Sequence, residues 1–72
     1  MALLDDVADE LAQRTIRNMS DLNDDVLQKL VADAIGSASP TLQETYLTAM
    51  RIRRAEARAF VVLENHERNN RA

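Results

Sequence analysis

Apolar side chains recur every three or four positions near the start of the chain. Leu4, Val7, Leu11 and Met19 fall within one stripe, while the acids of the segment occupy the opposite side. A period of about 3.6 residues is typical of an amphipathic helix whose apolar face meets a core. This pattern predicts a first helix over residues 3–19.

The same spacing resumes after an interruption at residues 20–23 and predicts a second helix over residues 24–35. Asn23 is expected to cap its start, because an asparagine side chain readily accepts a free amide of the first turn. Gly36 is expected to end it, since the residue just past a helix often has a positive φ, which glycine tolerates best.

Ser39 and Pro40 open a third and much longer helix, predicted over residues 40–69. Serine is a good N-cap, and proline favours the first helical position. A helix of about 30 residues is roughly 45 Å long. A compact chain of 72 residues is only about 29 Å across. We therefore expect this helix to project beyond the body that its own chain can build.

Residues 59–63, here termed the apolar segment, read Ala-Phe-Val-Val-Leu. Consecutive apolar residues cover every direction around a helix axis, and a helix that is apolar all round is normally buried all round. One interpretation is that the first or second helix folds over the segment. The interpretation we favour is an interface with another chain, formed by Ala59, Phe60, Val61, Val62 and Leu63.

Composition favours an all-helical domain. The chain has one glycine, one proline and no cysteine, which excludes disulfides and thiolate metal sites. No apolar stretch approaches the roughly 18 residues of a membrane span, and acids stand near the start where a secretory signal needs bases. We expect a cytoplasmic protein with a single all-α domain over residues 1–72. Its three helices would be short, short and long, with the long C-terminal helix packing against the N-terminal pair within an oligomer.

Charge is spread unevenly. Residues 1–39 carry eight acids and three bases, whereas residues 40–72 carry four acids and six bases. Three of these bases form one stripe on the third helix and could contact an anion: Arg51, Arg54 and Arg58.

Arg53 and Glu56 are charged residues near the centre of the apolar face of the third helix. They could form an ion pair with an acid of the first or second helix. Alternatively, they could belong to the interface and set the register of an oligomer.

No catalytic, cofactor-binding or metal-binding site is predicted. His66 is the only histidine, and Asn70 stands where a His-Glu-x-x-His zinc motif needs its second histidine. The serines are explained as caps and turn residues. We expect a non-enzymatic chain without a cofactor or a small-molecule substrate.

Residues 28–47 resemble the helix-turn-helix of small phage and bacterial repressors. Ala32, Gly36 and Leu42 match that family's packing alanine, turn glycine and apolar anchor, whereas Ser37 stands where an apolar residue is usual. The resemblance implies a DNA-binding regulator. Its groove-reading side chains would lie near Ser39, Thr41, Gln43 and Glu44. This set contains an acid and no base, although DNA affinity depends on neutralising phosphates.

The function predicted from these observations is that of a small acidic protein–protein interaction module. It would self-associate as a dimer or higher oligomer, or dock on a larger assembly as a structural subunit, adaptor or inhibitor. Phage and accessory proteins often have this size. The DNA-binding regulator is the alternative; otherwise we expect neither nucleic acid nor membrane as a partner.

Overall fold

The computed structural model describes residues 2–70, and helices are the only regular elements in that range. α1 spans Leu3–Asn18, α2 spans Val26–Gly36 and α3 spans Pro40–Asn69. The predicted all-α fold is confirmed, with the long α3 packing against both N-terminal helices. Each predicted boundary lies within two residues of the observed one.

α3 begins as predicted. Ser39 has an extended backbone, its hydroxyl oxygen accepts the Leu42 amide at 3.1 Å, and Pro40 occupies the first turn. The connection from α2 is short, because the amides of Ala38 and Ser39 both bond the Ile35 carbonyl. This tight turn brings α2 back along α3.

α2 starts later than predicted, and Asn23 does not cap it. Asp25 is the N-cap residue and makes no side-chain cap bond. The Asp24 carboxylate accepts the Val26 amide at 3.0 Å instead. The Asn23 side-chain oxygen accepts a hydrogen bond from Arg58 of α3 at 2.8 Å. A contact between distant parts of the chain therefore replaces the local cap.

The predicted positive φ at Gly36 is also wrong, because no described glycine has one. Gly36 is instead the last residue of α2, and space explains the glycine. A Cβ atom there would lie 2.4 Å from Nε2 of Gln43. That nitrogen donates to the Ala32 carbonyl at 2.9 Å. Gly36 thus leaves room for α3 to bond the end of α2.

α1 and α3 run in the same direction. Leu4 and Leu42 line one cleft near the start of both helices, and Ile16 and Ala57 line another farther along. α2 runs the opposite way, since the residue before it meets Arg54 while its end meets the start of α3. The result is an up-down-up arrangement.

The core is small and lies along the first half of α3. Tyr46 and Met50 are its only large, fully buried side chains within the described residues. The small side chains of Ala8 and Ala12 on α1 are also fully buried and allow a close approach of the helices. Along α3, no described residue beyond Met50 is buried. The second half of this helix therefore has no share in the core.

α3 projects from the body. The molecule measures 52 × 29 × 14 Å, and its radius of gyration is 14.5 Å, against about 11 Å for a compact chain of this length. Its accessible surface is 5397 Å², whereas a compact monomer of its mass exposes about 4,500 Å². Every residue from Arg58 to Asn70 is exposed.

Candidate interaction surface

The apolar segment lies on the projecting part of α3, and all five of its residues are exposed. Phe60, Val61, Val62 and Leu63 are 55, 49, 67 and 53 % exposed, and Ala59 is exposed as well. Four successive helical residues point in four different directions. Neither α1 nor α2 folds over the segment, so the interpretation that this chain covers it internally is wrong.

The segment remains helical although Phe-Val-Val-Leu has a high strand propensity. Strong helix formers dominate residues 51–58 before it, and Glu64, Glu67 and Arg68 follow it. His66 and Arg68 lie in the last turn, where positive charge suits the helix dipole. The Asn70 amide closes the helix on the carbonyl of His66 at 3.1 Å. The chain itself thus maintains a helix that presents apolar side chains to water.

An open cleft between α1 and α3 continues this apolar surface onto the body. Ile16, Ala57 and Phe60 contribute its apolar lining. Its polar lining comes from Gln13, Arg17, Arg53 and Glu56. Because Phe60 belongs both to the cleft and to the apolar segment, the two features form one continuous surface.

Arg53 ties α3 to α1. Its Nε and Nη2 atoms donate to the two carboxylate oxygens of Asp9 at 2.7 and 2.6 Å, and Nη1 donates to Glu56 at 3.0 Å. The Arg53 guanidinium lowers the pKa of Asp9, and the Asp9 carboxylate raises that of Arg53. Of the two interpretations of this residue pair, the ion pair with an acid of the first helix is observed. A role for Arg53 and Glu56 in an interface stays a prediction.

The predicted basic stripe is largely engaged within the chain. Arg54 donates to the Asp25 carboxylate at 2.7 Å, to the Gln28 side chain at 2.8 Å and to the Leu22 carbonyl. Its side chain is only 16 % exposed. Arg58 donates to the side chain of Asn23 in the turn before α2. Of the three arginines, Arg51 alone has no ion pair or side-chain hydrogen bond to another described residue. The three therefore do not form a free anion-binding face.

Thr15 and Tyr46 form a buried polar pair that the sequence pattern did not reveal. The Thr15 hydroxyl donates to the Leu11 carbonyl at 2.8 Å, and its oxygen lies 2.9 Å from the Tyr46 hydroxyl. Thr15 has a single hydroxyl hydrogen, so Tyr46 is the donor between them. The pair therefore satisfies the polar atoms that the core encloses.

The residues of the repressor-like pattern are only partly available to a ligand. Ala32 is 6 % exposed and belongs to the core. Ser39 caps α3 and Gln43 bonds α2, as described above, which leaves Thr41 and Glu44 exposed. These two offer one carboxylate and no cation to a phosphate backbone. The absence of a mobility shift with random duplex DNA at low salt would remove this alternative.

Metal-ligand geometry and a membrane-spanning helix are both missing from residues 2–70. No group of three or more His, Cys, Asp or Glu side chains in that range is arranged to hold a metal ion. His66 lies at the exposed end of α3, with Nε2 at 2.9 Å from the amide nitrogen of Asn70. None of the described helices combines the length and the apolar character needed to cross a membrane.

Comparisons with protein-family models, curated proteins and solved structures found no match for this chain. The functional argument therefore depends on the geometry of the molecule alone.

Proposed function

We propose that this chain is a non-enzymatic protein–protein interaction module that binds through the apolar segment and the adjoining α1–α3 cleft. The observation that carries the proposal is the exposure of Phe60 to Leu63, which lies between 49 and 67 % for these four consecutive residues. Continuous exposed apolar patches on soluble proteins mark contacts with other molecules far more often than scattered apolar residues do.

Covering this surface would be favourable. Transfer of a large apolar side chain from water to a protein interior contributes about 1.5–3 kcal/mol. Four side chains that are roughly half exposed therefore offer on the order of 5 kcal/mol, before the cost of association is subtracted. A partner that surrounds the apolar segment would gain most of this free energy.

The size of the core favours the same proposal. Among residues 2–70, only two large side chains are completely buried, Tyr46 and Met50. Chains below about 80 residues rarely obtain more than 3–5 kcal/mol of stability from one core, and many gain the rest by association. Contact through α3 would add apolar burial that the chain cannot supply internally.

The test compares two identical substitutions, Val62→Glu and Val26→Glu. Both valines are 67 % exposed, but Val26 begins α2, where an acid suits the helix N-terminus. We expect wild type and Val26→Glu to form the same assembly or capture the same proteins from native extract. Val62→Glu should lose both properties, because it places a charge in the contact.

Mass from light scattering coupled to chromatography and quantitative capture provide the readouts, with circular dichroism to verify equal helix content. If all three proteins have the same mass and capture the same set of proteins, the apolar segment is not the binding surface and the proposal fails.

A further inference from the structure

Charge changes sign across the apolar segment. On its N-terminal side, residues 51–58 contain four arginines and one glutamate. On its C-terminal side, residues 64–68 contain two glutamates and one arginine, Arg68, so this side is weakly acidic. Two such helices laid side by side in opposite directions bring the basic side of each against the acidic side of the other. In a parallel arrangement, like charges would face each other, which costs free energy.

Part of the charge on each side is available for such a contact, because Arg51 and Arg58 form no ion pair within residues 2–70. Arg58 bonds the uncharged side chain of Asn23. Within residues 2–70, the ion pairs involve only Arg53 with Asp9 and Glu56, and Arg54 with Asp25. Glu64 and Glu67 are exposed and take part in none of them. Arg68 in the same turns bonds Asn65 instead, so neither glutamate has an ion-pair partner within the described part of the chain.

The antiparallel arrangement also places this acidic end against an open site. A two-fold axis near Val61 sets residues 64–67 of one copy beside residues 55–58 of the other. Ala57 in that range lines the α1–α3 cleft, together with Ile16 and Arg17. The helix end of each copy would thus enter the cleft of its partner. Closed two-fold symmetry of this kind is the commonest form of small oligomers.

The accessible surface area of the molecule also favours a dimer. The molecule exposes 5397 Å², which is roughly 900 Å² more than a compact monomer of its mass. A standard protein interface covers about 800 Å² on each partner. The excess surface created by the projecting helix is therefore sufficient for one side of a stable dimer.

We infer that the partner is a second copy of this chain, bound through antiparallel pairing of the projecting halves of α3, with each helix end seated in the α1–α3 cleft of the other copy. This inference rests on the proposed function and specifies its partner.

The orientation is tested with single cysteines, since the natural chain has none. Ala57→Cys and Asn65→Cys are prepared separately and treated, alone and mixed, with a short bifunctional thiol crosslinker. Antiparallel pairing predicts that the mixture yields far more crosslinked dimer than either variant alone. Equal crosslinking of each variant with itself would overturn the antiparallel arrangement while leaving the proposed function intact.

The charge argument is tested by replacing both glutamates, Glu64→Gln with Glu67→Gln, beside the matched control Glu44→Gln at the start of α3. Loss of attraction should raise the dimer dissociation constant, by roughly two- to fivefold for each pair lost, with no change in the control. A tighter dimer, which parallel like-charge contact predicts, or an unchanged one would contradict the inference.

The wild-type mass separates the two proposals. A wild type that stays monomeric at every concentration overturns the second copy as partner. The proposed function then survives only if Val62→Glu abolishes capture of a different protein, and it fails with the inference if capture is unaffected.

Discussion

Tyr46 is the largest side chain in the core, and its hydroxyl is enclosed together with that of Thr15. Because Tyr46 donates to Thr15, the neutral phenol is the form that the fold accommodates. Burial raises the pKa of Tyr46 above its usual value, and the Thr15 hydroxyl, which can turn to donate to a phenolate, offsets part of this shift. The polar pair therefore links stability to alkaline pH.

The folded chain should lose stability above about pH 10, where tyrosine ionises in an unfolded chain. The contribution is fully present below that pH and is lost as pH rises through the higher folded-state pKa. Tyr46 is the only tyrosine and the chain has no tryptophan, so tyrosinate absorbance reports on it directly. Tyr46→Phe should remove this alkaline step in stability. Ionisation of Tyr46 at its usual pKa in a fully folded protein would contradict the assignment.

The Asp9–Arg53 pair links stability to acidic pH with the opposite sign. The Arg53 guanidinium lowers the pKa of Asp9 in the folded state. The resulting stabilisation is present above the unfolded-state pKa, about 3.9, and is lost as pH falls through the folded-state pKa. Asp9→Asn should therefore destabilise the protein at neutral pH and have a smaller effect below about pH 4.

Urea unfolding at a series of pH values measures this difference. Asp6→Asn is the control, because Asp6 lies on the same helix, is exposed and forms no ion pair within residues 2–70. A difference between Asp9→Asn and wild type that stays constant across the acidic range would show that the pair does not contribute in this way.

Arg54 connects α3 to α2 and the turn before it. Its guanidinium donates to the Asp25 carboxylate, the Gln28 side chain and the Leu22 backbone carbonyl. Arg54→Ala should cost about 2 kcal/mol of unfolding free energy, since it leaves these acceptors without their donor. Amide exchange should accelerate in the first turn of α2. Arg51→Ala, one turn earlier on α3 and exposed, should change stability by no more than about 0.5 kcal/mol. Equal effects of the two substitutions would contradict the role given to Arg54.

The helices were predictable because their signals are local. Periodic apolar residues, the Ser39–Pro40 start and the uninterrupted run after it determine α3 within its own sequence. The predictions at the helix ends were wrong where residues distant in sequence make the contact. Asn23 gives up its expected capping role because Arg58 reaches it, and Gly36 is retained for the space that Gln43 needs rather than for a positive φ.

The candidate surface was predictable only in part, because some of it depends on contacts between residues distant in sequence. Consecutive apolar residues on a helix too long for its body indicated residues 59–63 directly. The α1–α3 cleft beside them was not predicted, because it depends on which face of α1 meets α3. The contacts of Arg53 and Arg54 join residues 44 and 29 positions apart, respectively. No short-range pattern identifies which acid each arginine will meet.

The molecule as a whole divides into a three-helix body and a projecting half-helix. Within residues 2–70, all buried side chains lie at or before Met50, and every residue from Arg58 onwards is exposed. An uncovered helix end of this length would fray readily in water, because helix formation in isolation is weakly favourable. Contact of its apolar segment with another chain would suppress this fraying.

Hydrogen exchange of the amides in residues 59–69, followed as a function of protein concentration, tests this account most directly. Protection in this range should rise with concentration towards that of the buried part of α3, and Val62→Glu should remain unprotected at every concentration. Rapid exchange of the wild type at all concentrations would contradict shelter by a second copy. Protection that persists unchanged on dilution to monomer would show that the chain shelters this helix by itself.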